Sequence, residues 1–286
     1  MTWRETIGKA GAYLEAKSVP DARVAAELLA ARLLKSTRGS LAAALGRDVP
    51  ERFLDAMRRG MARLSRGEPV QYVLGEWDFR SLTLKCDRRA LIPRPETEEL
   101  VTRVLKWLKA TADGHPRLVL DVGTGTGAIA LAIAKETGPE VAVVATDVSE
   151  DALALARENA ESCGLSDRVR FVAMDGMDDF DEPGFVDAIV SNPPYVESAA
   201  IAGLDPRVRD FEPRIALDGG PEGLDFYERY LADALNLLKP GGAVFFEIGE
   251  TQGGAVSGLM EEFGFAEVRV EKDFSGHDRY AFATLP

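Results

Sequence analysis

The sequence predicts an α/β protein in which a mostly parallel sheet is covered by helices on both faces. Two observations predict this fold. From residue 117 onward, short apolar segments alternate with longer segments whose apolar residues recur at helical spacing. The apolar segments are nearly continuous, so each strand is expected to be buried on both faces. A segment with helical periodicity alone precedes this region and predicts a second, smaller domain.

The N-terminal segment has the composition of a helical domain. Ala, Leu, Arg and Glu dominate it, and apolar residues such as Ile7 and Leu14 fall at helical spacing. Pro20 and Pro50 each mark a break that is followed by a helix start. We therefore expect a small all-helical domain over residues 1–69.

Residues 70–92 change in character and predict a β-hairpin linker. Apolar and aromatic residues stand at 72–74 and again at 79–84, with a glycine-containing turn at 75–78 between them. Beyond a proline-rich stretch, a helix leads into the main domain. We expect this domain to occupy residues 93–286.

The main domain is predicted to contain seven strands. They are expected at 118–122, 141–146, 169–174, 186–190, 243–248, 268–270 and 280–283. The intervening helices are expected at 128–136, 151–162, 224–238 and 255–263. Strands that are joined through helices run parallel in one sheet, so the sheet should be mostly parallel.

A glycine-rich turn follows the first of these strands. Its residues are Gly123, Thr124, Gly125, Thr126 and Gly127. Glycines let the backbone turn sharply and let a ligand approach without a Cβ in the way. Ligands of open α/β sheets bind at the carboxyl ends of the strands, so this turn is a candidate binding site. The second strand ends in Asp147, whose carboxylate can accept hydrogen bonds from both hydroxyls of a ribose.

Two adenine-containing ligands fit this pattern, a dinucleotide and S-adenosylmethionine. The spacing Gly123-x-Gly125-x-x-Ala128 matches the dinucleotide fingerprint, so the glycines alone do not decide between them. Asp121 precedes the turn and favours S-adenosylmethionine, because a carboxylate there would repel a pyrophosphate but can serve the charged methionine portion. The third glycine follows at two-residue spacing, which also favours S-adenosylmethionine.

The third strand leads to Asp175 and Gly176, where such a fold places the adenine. An aspartate at this position can accept a hydrogen bond from the adenine amino group, and Met177 can lie on the ring. The alternative interpretation of the same residues is a simple Asp-Gly turn.

The fourth strand ends in the most specific motif of the sequence, Asn192-Pro193-Pro194-Tyr195. Two consecutive prolines restrict the backbone and remove two donors, which leaves carbonyl oxygens that only accept. The Asn192 side-chain oxygen and the Pro193 carbonyl can each accept one N–H of an amide or amino group, and Tyr195 offers a flat face for a planar target. The motif predicts methyl transfer to an NH₂ nitrogen, with Asn192, Pro193 and Tyr195 as the catalytic residues. A rigid turn without function is the alternative.

With these motifs in view, the chain resembles the HemK/PrmC family of protein glutamine N5-methyltransferases over nearly its full length. The motifs that carry the resemblance are Gly75-Glu76-Trp77-Asp78-Phe79, Leu91-Ile92-Pro93-Arg94-Pro95-Glu96-Thr97-Glu98, the turn at 121–127, Asn192-Pro193-Pro194-Tyr195, Phe211-Glu212-Pro213 with Ala216-Leu217, Gly219-Gly220 with Gly223-Leu224, and Glu247-Ile248-Gly249 with Gln252. Asn-Pro-Pro-Tyr alone is shared with DNA adenine methyltransferases. The linker and Phe-Glu-Pro stretches therefore narrow the assignment.

The resemblance implies a Rossmann-like class I S-adenosylmethionine-dependent methyltransferase domain. Its substrate would be the glutamine of the Gly-Gly-Gln loop in class I peptide chain release factors. The implied cofactor-binding residues are Gly123, Thr124, Gly125, Thr126, Gly127, Asp147, Asp175, Gly176 and Asn192, and the implied substrate-binding residues are Asn192, Pro193, Pro194 and Tyr195. The family often has an aromatic residue after the acidic residue at the adenine position, where this chain has Gly176-Met177. The helical domain would dock the substrate.

The distribution of charge along the sequence limits the alternative functions. The net charge of −13 divides into +5 over residues 1–70 and −18 over the remainder. An acidic catalytic domain argues against an adenine-N6 methyltransferase acting on DNA or RNA, since such binding depends on neutralising phosphates. A glutamine methyltransferase acting on a ribosomal protein stays open as an alternative. A dinucleotide oxidoreductase or a non-enzymatic nucleotide-binding scaffold would leave the Asn-Pro-Pro-Tyr loop without a purpose.

Composition predicts the setting of the protein. The sequence has no apolar run of the length that spans a bilayer, and its N-terminus lacks the layout of a secretory signal. The two cysteines are far apart and the two histidines have no partner at ligand spacing. We therefore expect a reduced, cytoplasmic protein without a metal site, without stable nucleic-acid binding and without membrane attachment.

Overall fold

The computed structural model describes residues 1–180 and 182–286, and Asp181 lies outside the described residues. The chain forms two compact units. One unit comprises Met1–Glu76 together with Asp205–Phe211, and the other comprises Trp77–Leu204 together with Glu212–Pro286.

The N-terminal unit consists of helices around an apolar core. Its helices include α1 (Trp3–Ala16), α2 (Ala22–Leu33), α3 (Glu51–Leu64) and α4 (Val70–Leu74), with a 3-10 turn at Arg38–Ala43. A capping box begins α1: the Thr2 hydroxyl accepts the Glu5 N–H at 3.3 Å, and the Glu5 carboxylate accepts the Thr2 N–H at 3.0 Å. Trp3, Leu14 and Met57 are buried in the core of this unit. The predicted helical N-terminal segment is confirmed.

A β-hairpin of β1 (Glu76–Phe79) and β2 (Leu82–Lys85) follows α4. The hairpin linker is thus confirmed, but the expected strand at 72–74 is wrong, because these residues belong to α4. Pro69 precedes this helix, and Gly75 ends it with a φ of 75°, a conformation that glycine adopts readily. The turn of the hairpin lies at Arg80 and Ser81 rather than at 75–78.

The second unit is built on a seven-stranded sheet. Its strands are β3 (Arg117–Val122), β4 (Val141–Asp147), β5 (Val169–Ala173), β6 (Val186–Ser191), β7 (Leu238–Glu247), β8 (Ala266–Lys272) and β9 (Asp278–Thr284). The strand order is β5-β4-β3-β6-β7-β9-β8. Strands β3 to β7 pair in parallel, and β9 runs antiparallel to both β7 and β8. This arrangement confirms the predicted Rossmann-like, mostly parallel sheet.

Helices cover both faces of this sheet. The remaining helices of the chain include α5 (Pro95–Ala110), α6 (Ala128–Glu136), α7 (Glu150–Ser162), α8 (Pro206–Arg209), α9 (Asp225–Leu237) and α10 (Gly253–Glu262). Residues of α5 and α6 share one apolar cluster with Val119, whereas residues of α9 and α10 share another with Leu120. Successive residues of a strand point to opposite faces, so the two clusters lie on opposite sides of the sheet. In the part of the chain that the structure describes, no helix combines the length and apolar character needed to cross a membrane.

The strand order reverses direction between β3 and β6. From β3 the chain proceeds outward through β4 and β5 on one side, and it later returns to place β6 on the other. A crevice forms at the carboxyl ends of the strands at such a switch point. Because β3 leads into the glycine-rich turn and β6 leads into Asn192, both predicted motifs lie at this crevice.

Candidate active site

A cavity of about 320 Å³ lies at the carboxyl ends of β3, β4, β5 and β6. The predicted site residues that line it are Gly123, Thr124, Gly125, Thr126, Asp147, Asp175, Gly176, Asn192 and Pro194. The predicted site residues Gly127, Pro193 and Tyr195, all three described by the structure, lie outside this lining. The fold therefore gathers residues from four strand ends into one concave surface.

The glycine-rich turn has a backbone that favours glycine at three positions. Gly123, Gly125 and Gly127 have φ values of 72°, 56° and 82°. Gly127 is the N-cap of α6, and a Cβ on it would come within 3.1 Å of Leu131 and 3.2 Å of Ala156. The glycine at 127 thus serves the packing of α6, whereas the turn that precedes it faces the cavity.

Asp121 is fully buried and is bonded to the glycine-rich turn and to α6. Its Oδ2 accepts the Thr124 hydroxyl at 2.6 Å and the Ala130 N–H at 3.1 Å. Its Oδ1 has no hydrogen-bond partner among the residues that the structure describes. Burial raises the pKa of this carboxyl to about 7, and the charge of Asp147 adds to the rise. A cationic ligand at the turn would favour the ionised form that burial disfavours.

Asp147 is the carboxylate at the end of β4, and it lines the cavity. Its Oδ2 accepts the Gly125 N–H at 2.8 Å, and its Oδ1 accepts the Ser149 N–H at 2.9 Å. Burial raises the pKa of Asp147, and the two backbone hydrogen bonds oppose the rise. Each carboxylate oxygen can accept a second hydrogen bond, so this anchored group can receive two ligand hydroxyls.

The end of β5 differs from the prediction for the adenine position. Met177 is 2% exposed and packs in the apolar core with α9, so it does not cover the cavity. Asp175 Oδ1 instead accepts a hydrogen bond from Arg229 Nη1 at 2.9 Å. The side chains of α9 that line the cavity near this strand end are Phe226, Arg229 and Tyr230.

Gly176 makes room for these α9 side chains. It has a φ of 64°, and a Cβ at this position would lie 3.1 Å from Tyr230 Cε1 and 3.3 Å from Arg229 Cζ. Arg229 and Tyr230 therefore leave no room for a larger side chain at position 176. These residues come from a helix more than 50 positions later, with 54 positions separating Arg229 from Asp175.

The Asn-Pro-Pro-Tyr bend follows β6, a strand whose residues are all buried. Pro193 is buried, and Asn192 and Pro194 are half-buried at the cavity. Within the described part of the chain, neither Asn192 Oδ1 nor the Pro193 carbonyl has a hydrogen-bond partner. The bend thus presents two adjacent acceptors without protein donors, which is the pattern that an NH₂ group requires.

Tyr195 lies on the core side of the bend rather than in the lining of the cavity. Its ring packs against the apolar cluster that contains Tyr227 and Ile248. Burial raises the pKa of its phenol to about 12. Tyr195 is therefore neutral at physiological pH.

The loop at 217–223 and Gln252 support the bend from behind. Gln252 Nε2 donates to the carbonyls of Tyr195 and Gly223, each at 3.0 Å, and Gln252 Oε1 accepts the Gly249 N–H at 2.8 Å. The Gly219 N–H donates to the Val196 carbonyl at 2.8 Å. Because both N–H groups and the oxygen of this amide are hydrogen-bonded, Gln252 fixes the two loops to each other.

Replacing Gly223 by alanine is expected to lower the free energy of unfolding by at least about 2 kcal/mol. Its φ is 71°, and a Cβ there would lie 2.4 Å from the Tyr195 carbonyl oxygen. Gly264→Ala is the matched control, since Gly264 has a φ of 83° and nothing within 4 Å of its Cβ position. The control should lose only about 1 kcal/mol in urea unfolding. Equal losses for the two variants would contradict the close approach.

Two further groups at the site received no role from the sequence. Asn192 Nδ2 donates to Thr97 Oγ1 at 3.3 Å, and Thr97 Oγ1 donates to Glu247 Oε2 at 2.7 Å. The buried Glu212 accepts the Ile92 N–H at 3.0 Å and pairs with Arg94. The sequence signal for these groups is that they stand in the motifs that carry the family resemblance, at 91–98, 211–213 and 247–249.

Comparisons with known proteins agree with this architecture. The PrmC N-terminal domain model matches residues 5–75, and the methyltransferase small domain model matches residues 101–204. A release factor glutamine methyltransferase of Moorella thermoacetica is 40% identical over 98% of this chain and 97% of its own length. The chain belongs to the release factor glutamine methyltransferase family. A human relative, the MTRF1L release factor glutamine methyltransferase, is 37% identical over 93% of this chain and 82% of its own length.

Solved structures share the fold of this family member. The hMettl16 catalytic domain, crystallised with hairpin 1 of the MAT2A 3′UTR, superposes with a TM-score of 0.58 at 18% identity. That match covers 96% of this chain and 91% of the solved one. At this level of identity the likeness extends to the Rossmann-like methyltransferase fold alone.

As a member of this methyltransferase family, the chain uses S-adenosylmethionine as its cofactor. The residues at the cavity fit that molecule. Asp147 carries anchored acceptor atoms of the kind that ribose hydroxyls need, and the glycine-rich turn leaves room for a ligand at the end of β3. The carboxyl of Asp121 gains its ionised form when a positive charge lies at the turn.

Proposed function

We propose that this chain transfers the methyl group of S-adenosylmethionine to the side-chain amide nitrogen (N5) of the glutamine in the Gly-Gly-Gln motif of class I peptide chain release factors. The observation that carries the proposal is the pair of unpartnered acceptors on the bend, Asn192 Oδ1 of a residue that lines the cavity and the carbonyl of the adjacent Pro193. The names of the family's relatives supply the class of substrate. Asn192, Pro193 and Pro194 are assigned to the substrate glutamine, and Tyr195 is assigned to the support of the bend that they form.

The acceptors determine the reactivity of the amide nitrogen. Its lone pair is delocalised into the neighbouring carbonyl, which makes the nitrogen a poor nucleophile. When Asn192 Oδ1 and the Pro193 carbonyl accept the two N–H groups, the nitrogen is held in the orientation in which its lone pair can point at the methyl carbon of the cofactor. Bound S-adenosylmethionine would supply a sulfonium-bound methyl group to this nitrogen, with S-adenosylhomocysteine as the leaving group. Holding the nitrogen in line with that methyl removes orientational entropy from the barrier.

The proton leaves the nitrogen after methyl transfer, so no strong base is required. Tyr195 is neutral, with a phenol pKa raised to about 12 by burial, and its role is that of a rigid wall behind the bend. Pro194 lines the cavity and contributes an apolar surface beside the planar target. An enclosed, apolar surface strengthens the hydrogen bonds that hold the amide.

The cofactor would be held by the strand ends of β3, β4 and β5. We assign Gly123, Thr124, Gly125, Thr126 and Gly127 to the turn that receives it, with Gly127 acting through the start of α6. Asp147 is assigned to the ribose hydroxyls, and Asp175 and Gly176 to the adenine. Arg229 and Tyr230 border Gly176, and we assign to them the contact with the adenine ring that the sequence predicts for Met177.

The proposal is tested by mass spectrometry of a release factor after incubation with the chain and S-adenosylmethionine. The expected result is a mass increase of one methylene on the peptide that contains Gly-Gly-Gln, with fragment ions that locate it on the glutamine side chain. Duplex DNA, RNA and ribosomal proteins serve as competing acceptors in the same assay. Methylation of an adenine or of a ribosomal glutamine, with an unmodified release factor, would contradict the proposal.

We assign substrate docking to the helical segment over residues 1–69, joined by the 70–92 linker to the catalytic domain over 93–286. The net charge of +5 over residues 1–70 supports this assignment, because this positive charge can face an acidic surface of a release factor.

Both cysteines are free, which suits a reduced cytoplasmic setting.

Docking predicts different kinetics for a whole release factor and for a short peptide. The KM for an intact release factor should be at least about tenfold lower than the KM for a Gly-Gly-Gln peptide, because only the intact protein carries the second contact surface. The KM difference should shrink as ionic strength rises, since the contact is partly electrostatic. Steady-state kinetics at low and high salt measure both effects. Equal KM values for protein and peptide would remove the docking role.

A further inference from the structure

A chain of hydrogen-bonded side chains connects Asn192 to a buried glutamate. Glu247 at the end of β7 accepts the Thr97 hydroxyl at 2.7 Å, and Thr97 Oγ1 accepts Asn192 Nδ2 at 3.3 Å. Thr97 belongs to the first turn of α5 and is 5% exposed, and Glu247 is 1% exposed. The chain therefore joins a helix and two neighbouring strands beneath the cavity.

The chemistry of these groups decides which atom donates and which accepts in each hydrogen bond of this series. An ionised carboxylate only accepts, so the single hydroxyl proton of Thr97 is donated to Glu247. The oxygen of Thr97 then has only lone pairs for Asn192. The Asn192 amide must turn its NH₂ toward Thr97, which leaves Oδ1 as the unpaired atom of a side chain that lines the cavity.

We propose that Glu247 and Thr97 are positioning residues that hold the Asn192 amide with its oxygen available to the N–H of the substrate amide. This inference rests on the proposed function, in which Asn192 Oδ1 accepts one of the two N–H groups. The reversed amide would present two donors to the substrate NH₂, and donors facing donors cannot bond. The carboxylate thus acts on the reaction through two other side chains.

The backbone around Glu247 holds it in place. Tyr227 on α9 donates its hydroxyl to the Glu247 carbonyl at 2.9 Å, and Arg279 Nη1 donates to the Ile248 carbonyl at 3.0 Å. The charged and titratable groups that face Glu247 are Arg94, Glu96, Tyr195, Tyr227, Arg279 and Tyr280. The two arginines favour the ionised carboxylate and Glu96 opposes it.

Glu247 changes its ionisation near neutral pH. Burial raises its pKa to about 7, and the hydrogen bond from Thr97 opposes the rise. Above this pH the carboxylate is ionised, so Thr97 donates to Glu247 and the Asn192 NH₂ donates to Thr97. As the pH falls below about 7, a protonated Glu247 can donate to Thr97, the Thr97 hydroxyl can donate to Asn192, and the amide is free to reverse. Turnover should therefore decline on the acidic side.

The direct test removes the hydroxyl of Thr97. Thr97→Val, which has nearly the same shape, should lower kcat by about tenfold or more, the value of one or more hydrogen bonds. The dissociation constant for S-adenosylmethionine, measured by calorimetry, should change by less than about threefold. Thr97→Ser keeps the hydroxyl and should retain most of kcat. Thr102→Val removes another hydroxyl from α5, one that bonds Arg80 away from the cavity, and is the control for helix effects.

The pH profile of Glu247→Gln is the second test, and it decides the matter if the valine variant does not fold. The parent should lose kcat below a pH of about 7, and the glutamine variant should have a lower kcat without this acidic limb. Asp121, whose pKa burial also raises to about 7, is present in both proteins, so kcat is measured with saturating S-adenosylmethionine, whose positive charge favours the ionised form of Asp121. An acidic limb that persists in Glu247→Gln would overturn the proposal, as would full kcat in Thr97→Val. Loss of activity in Asn192→Ala with full activity in Thr97→Val would overturn this inference alone and leave the proposed function in place.

Discussion

Asn192→Ala is expected to lower kcat for release factor methylation by at least about 100-fold. The substitution removes one of the two acceptors that hold the substrate NH₂. The substrate nitrogen then keeps only its hydrogen bond to the Pro193 carbonyl and can rotate about it. The loss should appear in kcat rather than in the free energy of unfolding. Asn192 is half-buried, and among the described residues its one side-chain hydrogen bond is the 3.3 Å contact with Thr97. Single-turnover kinetics with saturating cofactor measure this directly.

The controls separate a role in chemistry from a role in folding. Asn236→Ala removes an exposed asparagine from α9 and should leave kcat unchanged. The melting temperature of Asn192→Ala should stay within a few degrees of the parent, and its affinity for S-adenosylmethionine should fall by less than about tenfold. Turnover at the parental rate would show that the NH₂ group is not held by this side chain, and the assignment of the bend to the substrate would be wrong.

Asp147→Ala is expected to raise the dissociation constant for S-adenosylmethionine by about 30- to 150-fold, which corresponds to about 2–3 kcal/mol for hydrogen bonds to a charged acceptor. The carboxylate is held by the N–H groups of Gly125 and Ser149 at 2.8 and 2.9 Å, so its remaining lone pairs are oriented before the ligand arrives. Such preorganisation increases the affinity that each bond contributes. Isothermal titration calorimetry with the cofactor and with S-adenosylhomocysteine gives the two constants.

A ligand without a ribose hydroxyl distinguishes a direct contact from a loosened turn. The parent should bind a 2′-deoxy analogue of S-adenosylhomocysteine about tenfold or more weakly than the complete molecule. In Asp147→Ala this difference should largely disappear, since the partner of the hydroxyl is already gone. A penalty for the missing hydroxyl that stays the same in both proteins would show that Asp147 acts only through Gly125 and Ser149.

The local features of this protein follow from the sequence alone. Apolar runs of strand length, helical periodicity and punctuation by glycine and proline depend on neighbouring residues, so they predict the seven strands and the sheet that the structure has. The turn at 123–127 and the bend at 192–195 are contiguous, and each motif shows its chemistry without knowledge of the rest of the chain. The hairpin was misplaced because the short apolar run at 72–74 suits a strand or a helix, and Pro69 together with Gly75 decides for α4.

What surrounds these motifs was decided by the tertiary structure. Thr97 lies 95 positions before Asn192, Glu247 lies 150 positions after Thr97, and Gln252 lies 57 positions after Tyr195. No periodicity reports which strand ends become neighbours, because pairing depends on the order of strands in the sheet. The placement of β6 between β3 and β7 brings the glycine-rich turn, the bend and Glu247 together. The sequence therefore determined which groups carry the chemistry, and the fold determined how each is oriented.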